Sequence, residues 1–133
     1  WSTLAIILSK SQKSNLISID LSYPTKLSYK LVGMAIPSNL KKKFTLLSGI
    51  DYKYLYKFEI SKKKFDFIHY DSDKSYLGRK KNYNLIWKIL NKNGCFISDD
   101  ISDNSAFYEF VTKKKVKHYI LKFNRKYIGI VYK

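Results

Sequence analysis

The sequence is poor in the residue types that mark several classes of protein. It contains one cysteine among 133 residues, so a disulfide framework is excluded and a reducing compartment, the cytoplasm, is expected. No apolar run approaches the roughly 20 residues that a membrane span requires, and no signal peptide is recognisable. The length suits a single domain with a modest core. We therefore expect a one-domain protein that makes no contact with membranes.

Acidic residues are also scarce. There are 10 Asp and Glu against 26 Lys and Arg, which gives a net charge of +16. Such a charge suits nucleic-acid binding, but Arg79 and Arg125 are the only arginines, and phosphate and base recognition favour arginine. Abundant Lys, Asn, Ile, Tyr and Phe is also what an AT-rich genome would encode. Composition bias is the favoured interpretation, so nucleic acid is not the expected partner, and a non-enzymatic basic binding module stays as an alternative.

Most of the acids stand where predicted strands end. Residues 65–70 and 94–98 are short apolar runs, and a helical stretch between them has the length of a right-handed crossover. The two strands should therefore be parallel neighbours whose carboxyl ends meet at one edge of a sheet. Asp71, Asp73, Asp99 and Asp100 follow these strands. Converging carboxylates favour a site for a divalent cation such as Mg²⁺, whereas helix capping by Asp73 or Asp100 is the simpler alternative.

The rest of the chain alternates strands and helices. Further strands are predicted over residues 15–20, 44–48, 116–123 and 127–132, the last two as a hairpin. Helices are predicted over residues 2–11, 25–34, 52–58, 75–90 and 105–112, with Asn93 and Gly94 as the C-terminal cap of the fourth. This pattern predicts an α/β fold.

Residues 65–76, which end in D-x-D-K-S-Y, and residues 90–101, which end in D-D, resemble the fourth and fifth strands of class I S-adenosylmethionine-dependent O-methyltransferases. The resemblance extends from about Ser2 to the end of the chain. It implies a single, partial methyltransferase domain over residues 1–133, with a Rossmann-like, mostly parallel sheet and a C-terminal antiparallel hairpin. The family's first strand and its glycine-rich loop do not appear in this sequence. Because those glycines allow close approach to the cofactor, this chain by itself is expected to bind it poorly.

The resemblance also assigns roles to individual residues. It implies S-adenosylmethionine as cofactor, bound by a set that shares the predicted loop and strand ends: Ser2, Thr3, Asp20, Gly49, Asp51 and Asp71. It implies Mg²⁺ or another divalent cation bound by Asp71, Asp99 and Asp100, with Asp73 as a further ligand or support. Lys74 stands at the position of a catalytic lysine or histidine near the acceptor. The expected reaction is cation-assisted O-methyl transfer to a small-molecule or sugar hydroxyl.

One other enzyme class stays open from the residues alone. Asp71-Ser72-Asp73 is a D-x-D sequence, as in nucleotide-sugar glycosyltransferases, where the two acids hold a metal against a diphosphate. That interpretation leaves Asp20, Asp99 and Asp100 without a role, so it is the second choice.

Overall fold

The computed structural model of the chain describes residues 2–11, 13–21 and 31–133. Strands and helices alternate along it, as the sequence predicts. The chain divides into two compact units, Trp1–Tyr54 and Leu55–Lys133. Within the described ranges, no helix combines the length and the apolar character needed to cross a membrane.

The first unit contains a two-stranded parallel sheet. Helix α1 covers Ser2–Ser9 and is followed by strand β1, Ile17–Asp20. A 3-10 helix over Ser38–Lys43 precedes strand β2, Thr45–Ser48, which pairs with β1 in continuous register. The helix predicted over residues 25–34 falls mostly outside the described residues. Helix α2, Asp51–Ile60, begins at the end of this unit and continues into the next.

The second unit contains a four-stranded mixed sheet with helices packed on it. Its elements follow in chain order: β3 (Phe65–Tyr70), α3 (Tyr76–Ile89), β4 (Leu90–Ser98), a 3-10 turn (Ile101–Asp103), α4 (Ala106–Lys114), β5 (His118–Phe123) and β6 (Lys126–Tyr132). The strand order is β3-β4-β6-β5. β3 and β4 are parallel, whereas β6 is antiparallel to both of its neighbours. The predicted parallel pair and C-terminal hairpin are therefore confirmed.

An aromatic core joins α3 and α4 to one face of this sheet. Tyr83 of α3 is fully buried, and its ring lies 5.2 Å from Phe96 of β4 and 5.5 Å from Phe110 of α4. Gly129 of β6 lies directly under the Phe107 ring. A Cβ at this position would be only 2.2 Å from the ring atom Cζ. The sheet end that carries the acids is thus held by a close-packed interior.

The predicted end of α3 near residue 90 is confirmed to within one residue, but the predicted C-terminal cap at Asn93 and Gly94 is wrong. The helix stops at Ile89, and Leu90 is already extended and pairs with Phe65 of β3. Asn93, with φ 65°, lies inside an irregular part of β4 and does not cap the helix. The reason is burial. Leu90 is 1% exposed, and its place in the core requires the chain to leave the helix before it reaches Asn93 and Gly94. The Lys133 ammonium then binds the carbonyls of Trp87 and Leu90.

Candidate active site

Three carboxylates meet where β3 and β4 end. Tyr70 pairs with Ser98 as the last residue of each strand, and the Asp99 N–H donates to the Tyr70 carbonyl at 3.0 Å. Asp71 and Asp99 therefore leave the sheet side by side. One carboxylate oxygen from each of Asp71, Asp99 and Asp100 lies within 4.8 Å of the others. The predicted convergence of these acids is found.

The backbone at Asp100 explains how two consecutive residues reach one cluster. In an extended strand, neighbouring side chains point to opposite faces. Asp100 instead adopts the left-handed conformation, with φ 49° and ψ 44°, which breaks the alternation as the 3-10 turn begins. Asp is among the non-glycine residues that tolerate this conformation. The Asp100 N–H donates to Asp99 Oδ1 at 3.0 Å, which fixes the pair locally.

Two lysines neutralise part of this negative charge. The Lys74 ammonium donates to Asp100 Oδ2 and lies 3.4 Å from Asp71 Oδ1. The Lys126 ammonium lies 3.4 Å from Asp100 Oδ1. The hydrogen bond from Lys74 holds the pKa of Asp100 below its usual value, and the same bond raises the pKa of Lys74. Lys74 is therefore a protonated ammonium in this arrangement.

Lys126 is a site residue that the sequence does not reveal. It stands at the start of β6, where the hairpin pairs it with Phe123, 26 residues after the carboxylate it contacts. No motif surrounds it, and the chain has many other lysines. Only the strand order, which sets β6 beside β4, brings it to Asp100.

Asp73 has a different job from its neighbour Asp71. Its Oδ1 accepts the Ser75 N–H at 2.9 Å, while the Ser75 hydroxyl caps α3 by accepting the Gly78 N–H at 3.1 Å. Its carbonyl accepts the Tyr70 hydroxyl at 2.8 Å. Asp73 is not among the three acids of the cluster. Ser75, and not Asp73, is therefore the N-cap of α3, and Asp73 supports that cap from before the helix. Asp100 precedes the 3-10 turn without a side-chain capping bond. A cation role for Asp71, Asp99 and Asp100 stays a prediction.

Polar side chains tie the loops of this edge to the helices. Asn104 donates from Nδ2 to the Lys74 carbonyl at 2.8 Å and accepts the Ala106 N–H, at the start of α4, at 3.1 Å. Arg79 of α3 is fully buried and forms an ion pair at 3.4 Å with Asp103, the last residue of the 3-10 turn. The burial of Arg79 does not follow from the pattern of apolar residues along α3, because the charged side chain turns inward to reach Asp103.

Five of the six predicted cofactor residues belong to the first unit, and they divide into two groups. A cavity of about 500 Å³ is lined by Ser2, Thr3 and Asp20 together with apolar residues of the same unit. The Thr3 hydroxyl lies 3.3 Å from the Ser18 hydroxyl, which links α1 to β1 at the cavity wall. An apolar lining with a few polar groups is typical of small-molecule sites.

Gly49 and Asp51 lie outside the residues that line this cavity. The Gly49 N–H donates to the Asp20 carbonyl at 2.9 Å, so it supports the strand end at Asp20 through the backbone. Asp51 begins α2, and its Oδ1 accepts the Tyr52 N–H at 2.6 Å. Asp71, the sixth predicted cofactor residue, belongs to the carboxylate cluster. A cofactor role for these three residues stays a prediction.

No protein-family model and no curated protein sequence match the chain. Solved structures do match it. An O-methyltransferase from Bacillus cereus in complex with SAH superimposes with a TM-score of 0.81 at 18% identity, over 99% of this chain and 69% of that one. A protein assigned as an O-methyltransferase from Klebsiella pneumoniae has a TM-score of 0.75 at 10% identity, over 98% of this chain and 67% of that one. A protein assigned as a caffeoyl-CoA O-methyltransferase from Staphylococcus aureus has a TM-score of 0.68 at 11% identity, over 92% and 66%.

These likenesses establish the fold. The chain has the Rossmann-like α/β fold of S-adenosylmethionine-dependent O-methyltransferases, as the sequence resemblance implies. It spans about two thirds of the length of these structures.

Proposed function

We propose that this chain carries out, or forms the greater part of a protein that carries out, methyl transfer from S-adenosylmethionine to a hydroxyl oxygen of a small molecule or sugar, assisted by a divalent cation. The observation that carries the proposal is the meeting of Asp71, Asp99 and Asp100 beside Lys74 in a chain with an O-methyltransferase fold. The sequence resemblance implies this same set of acids for a cation and this same lysine for catalysis.

The cofactor would be held by the first unit. Asp20 at the end of β1 would accept hydrogen bonds from the ribose hydroxyls, as the corresponding acid does in dinucleotide-binding folds. Ser2 and Thr3, at the N-terminus of α1, would contribute hydroxyls and the positive end of the helix dipole. The SAH in the Bacillus cereus structure supports a nucleoside cofactor for this fold. When bound, S-adenosylmethionine supplies the electrophilic methyl group.

The carboxylate cluster fits a hard divalent cation by its donor set. Asp71, Asp99 and Asp100 offer oxygen ligands within 4.8 Å of one another, and Mg²⁺ and Mn²⁺ prefer oxygen ligands. When bound, such an ion lowers the pKa of the acceptor hydroxyl and fixes its orientation. Asp71 and Asp100 would then hold the ion in place of their ammonium partners, Lys74 and Lys126.

Lys74 changes its role with the charge around it. Asp100 and Asp71 raise its pKa in the present arrangement, so it holds its proton and can only donate. A cation bound to those carboxylates would remove the cause of the raised pKa of Lys74. It would also add a positive charge beside the ammonium, which would favour the neutral amine. Lys74 can then accept the proton of the acceptor hydroxyl.

Saturation-transfer NMR with SAH tests the proposal, because the method detects weak binding as well as tight binding. We expect saturation of the adenosine protons, and we expect Asp20→Asn to weaken binding at least about tenfold, the worth of one or two hydrogen bonds to a charged group. Asp66→Asn is the matched control, since Asp66 is exposed on β3 and bonds Asn91. Saturation of a nucleotide sugar in the presence of Mg²⁺ but not of SAH, or equal SAH binding by Asp20→Asn and the control, would contradict the proposal.

A further inference from the structure

Strand β5 forms one outer edge of the four-stranded sheet, and no described strand covers its free side. All six of its residues are exposed. The Tyr132 N–H donates a hydrogen bond to the Lys117 carbonyl. This bond shows which alternate residues of β5 form hydrogen bonds with β6. Hydrogen-bonded and non-hydrogen-bonded positions alternate along an antiparallel pair. The backbone groups that form hydrogen bonds with β6 are therefore those of Tyr119, Leu121 and Phe123. The N–H and carbonyl groups of His118, Ile120 and Lys122 therefore face outward along the free edge.

This edge has few of the features by which proteins prevent strand addition. It contains no proline, and its register with β6 runs without a bulge from His118 to Phe123. Lys122 is the only residue with a permanent charge in the strand. Ile120 is 56% exposed and Leu121 is 53% exposed, on opposite faces. A long, regular, apolar edge of this kind is suited to pairing with another strand.

Charge selects what can pair there. Residues 112–133 contain eight Lys and Arg and no Asp or Glu. A second copy of the chain would bring the same positive charge against this edge, which disfavours self-association. An acidic strand would be attracted instead. Single-stranded nucleic acid would satisfy the lysines but would leave Ile120 and Leu121 beside a charged backbone, so a peptide explains more of the surface.

We propose that the free edge of β5 is the docking site for an extended segment of a partner protein in which acidic and apolar residues alternate. The segment adds as the next strand, bonds the outward groups of His118, Ile120 and Lys122, and lays its acids along the lysines of the hairpin. This inference is independent of the proposed methyl transfer.

The test is fluorescence anisotropy with a labelled seven-residue peptide of alternating Glu and Val. Ile120→Pro removes an outward N–H without removing a bond to β6, and edge strands tolerate such a proline. Its matched control, Ile120→Thr, keeps the N–H and also shortens the apolar side chain. We expect saturable binding that Ile120→Pro weakens about tenfold and Ile120→Thr by less than about threefold. Circular dichroism confirms that both variants are folded.

A second variant keeps the test decisive if Ile120→Pro does not fold. Lys122→Glu reverses an exposed charge on β5. We expect it to weaken peptide binding about fivefold at low salt and to have little effect at 1 M salt. The control Lys92→Glu, which lies elsewhere on the unit, should leave peptide binding unchanged. Equal peptide affinity in Ile120→Pro and Ile120→Thr would overturn strand addition. Self-association that Ile120→Pro abolishes, or an oligonucleotide that binds more tightly than the peptide and ignores Ile120→Pro, would overturn the acidic partner.

Discussion

Replacing the buried arginine of α3 should cost less stability than replacing the partially exposed aspartate that it contacts. The Arg79 side chain is 1% exposed, and its nearest carboxylate oxygen, on Asp103, lies 3.4 Å away. That separation is longer than a good N–H···O hydrogen bond. Among the described residues, neither Nε nor Nη1 of Arg79 has a hydrogen-bond partner of good geometry, although the guanidinium lies close enough to the Tyr83 hydroxyl to oppose the rise that burial causes in the pKa of Tyr83. The guanidinium is thus buried with most of its donors unsatisfied.

The magnitudes favour removal of the whole group. Each buried unsatisfied donor costs about 1–3 kcal/mol, so the two nitrogens weigh about 2–6 kcal/mol against the folded state. The long ion pair returns at most about 3 kcal/mol. Arg79→Met keeps the buried aliphatic stem and removes both terms, so we expect it to be neutral or to stabilise the fold by up to about 2 kcal/mol.

Asp103→Asn works in the opposite direction because it leaves the buried charge of Arg79 uncompensated. Breaking a fully buried pair in this way costs about 3–5 kcal/mol. Asp103 is 44% exposed, and solvent screening reduces the expected loss to about 1–2 kcal/mol.

Urea unfolding followed by far-ultraviolet circular dichroism measures the three variants. The double variant should unfold like Arg79→Met alone, because no buried charge is left for Asp103 to compensate. A loss of more than about 1 kcal/mol in Arg79→Met, or wild-type stability in Asp103→Asn, would refute the reasoning from unsatisfied donors.

Two further predictions concern the carboxylates. Asp99→Ala should weaken Mn²⁺ binding at least about tenfold, because one of the three proposed ligands is lost. Titration followed by electron paramagnetic resonance measures this binding, and SAH binding should stay within about twofold. Equal loss of Mn²⁺ and SAH binding would argue against a ligand role for Asp99. Hydrogen bonds from Ser105 and then Tyr76 hold the pKa of Glu109 below its ordinary value of 4.5. Its contribution to stability is therefore present above that value and lost as pH falls through the lower folded pKa. The melting-temperature gap between wild type and Glu109→Gln should exist at neutral pH and close as the pH falls through the lowered pKa of Glu109; a gap of the same size at strongly acid pH would contradict this assignment.

The sequence predicts the strands and the acidic edge because both depend on local pattern. β3 and β4 are short apolar runs joined by one helix, and the handedness of such a connection leaves few choices for their arrangement. Asp71 and Asp99 then follow as the first residues beyond paired strand ends. The C-terminal hairpin is equally local, since Asn124 and Arg125 separate two β-rich runs.

Contacts between residues distant in sequence could not be predicted in this way. Lys126 reaches Asp100 through the order of strands in the sheet, and Arg79 reaches Asp103 through a side-chain direction that helical periodicity does not specify. The failure of Asn93 and Gly94 to cap α3 has the same origin, because Leu90 is already buried and paired with β3 before the chain reaches them.

The different surroundings of Asp71 and Asp73 depend in part on a glycine, Gly78, in the first turn of α3. Gly78 stands five residues after Asp73, and a Cβ there would lie 2.0 Å from Asp73 Oδ2 and 2.2 Å from its Cγ. The missing side chain leaves room for the Asp73 carboxylate against the first turn of α3, where it accepts the Ser75 N–H. A carboxylate held there is engaged in starting the helix. Asp71 instead lies in the cluster with Asp99 and Asp100, so the two acids of the D-x-D sequence have different surroundings.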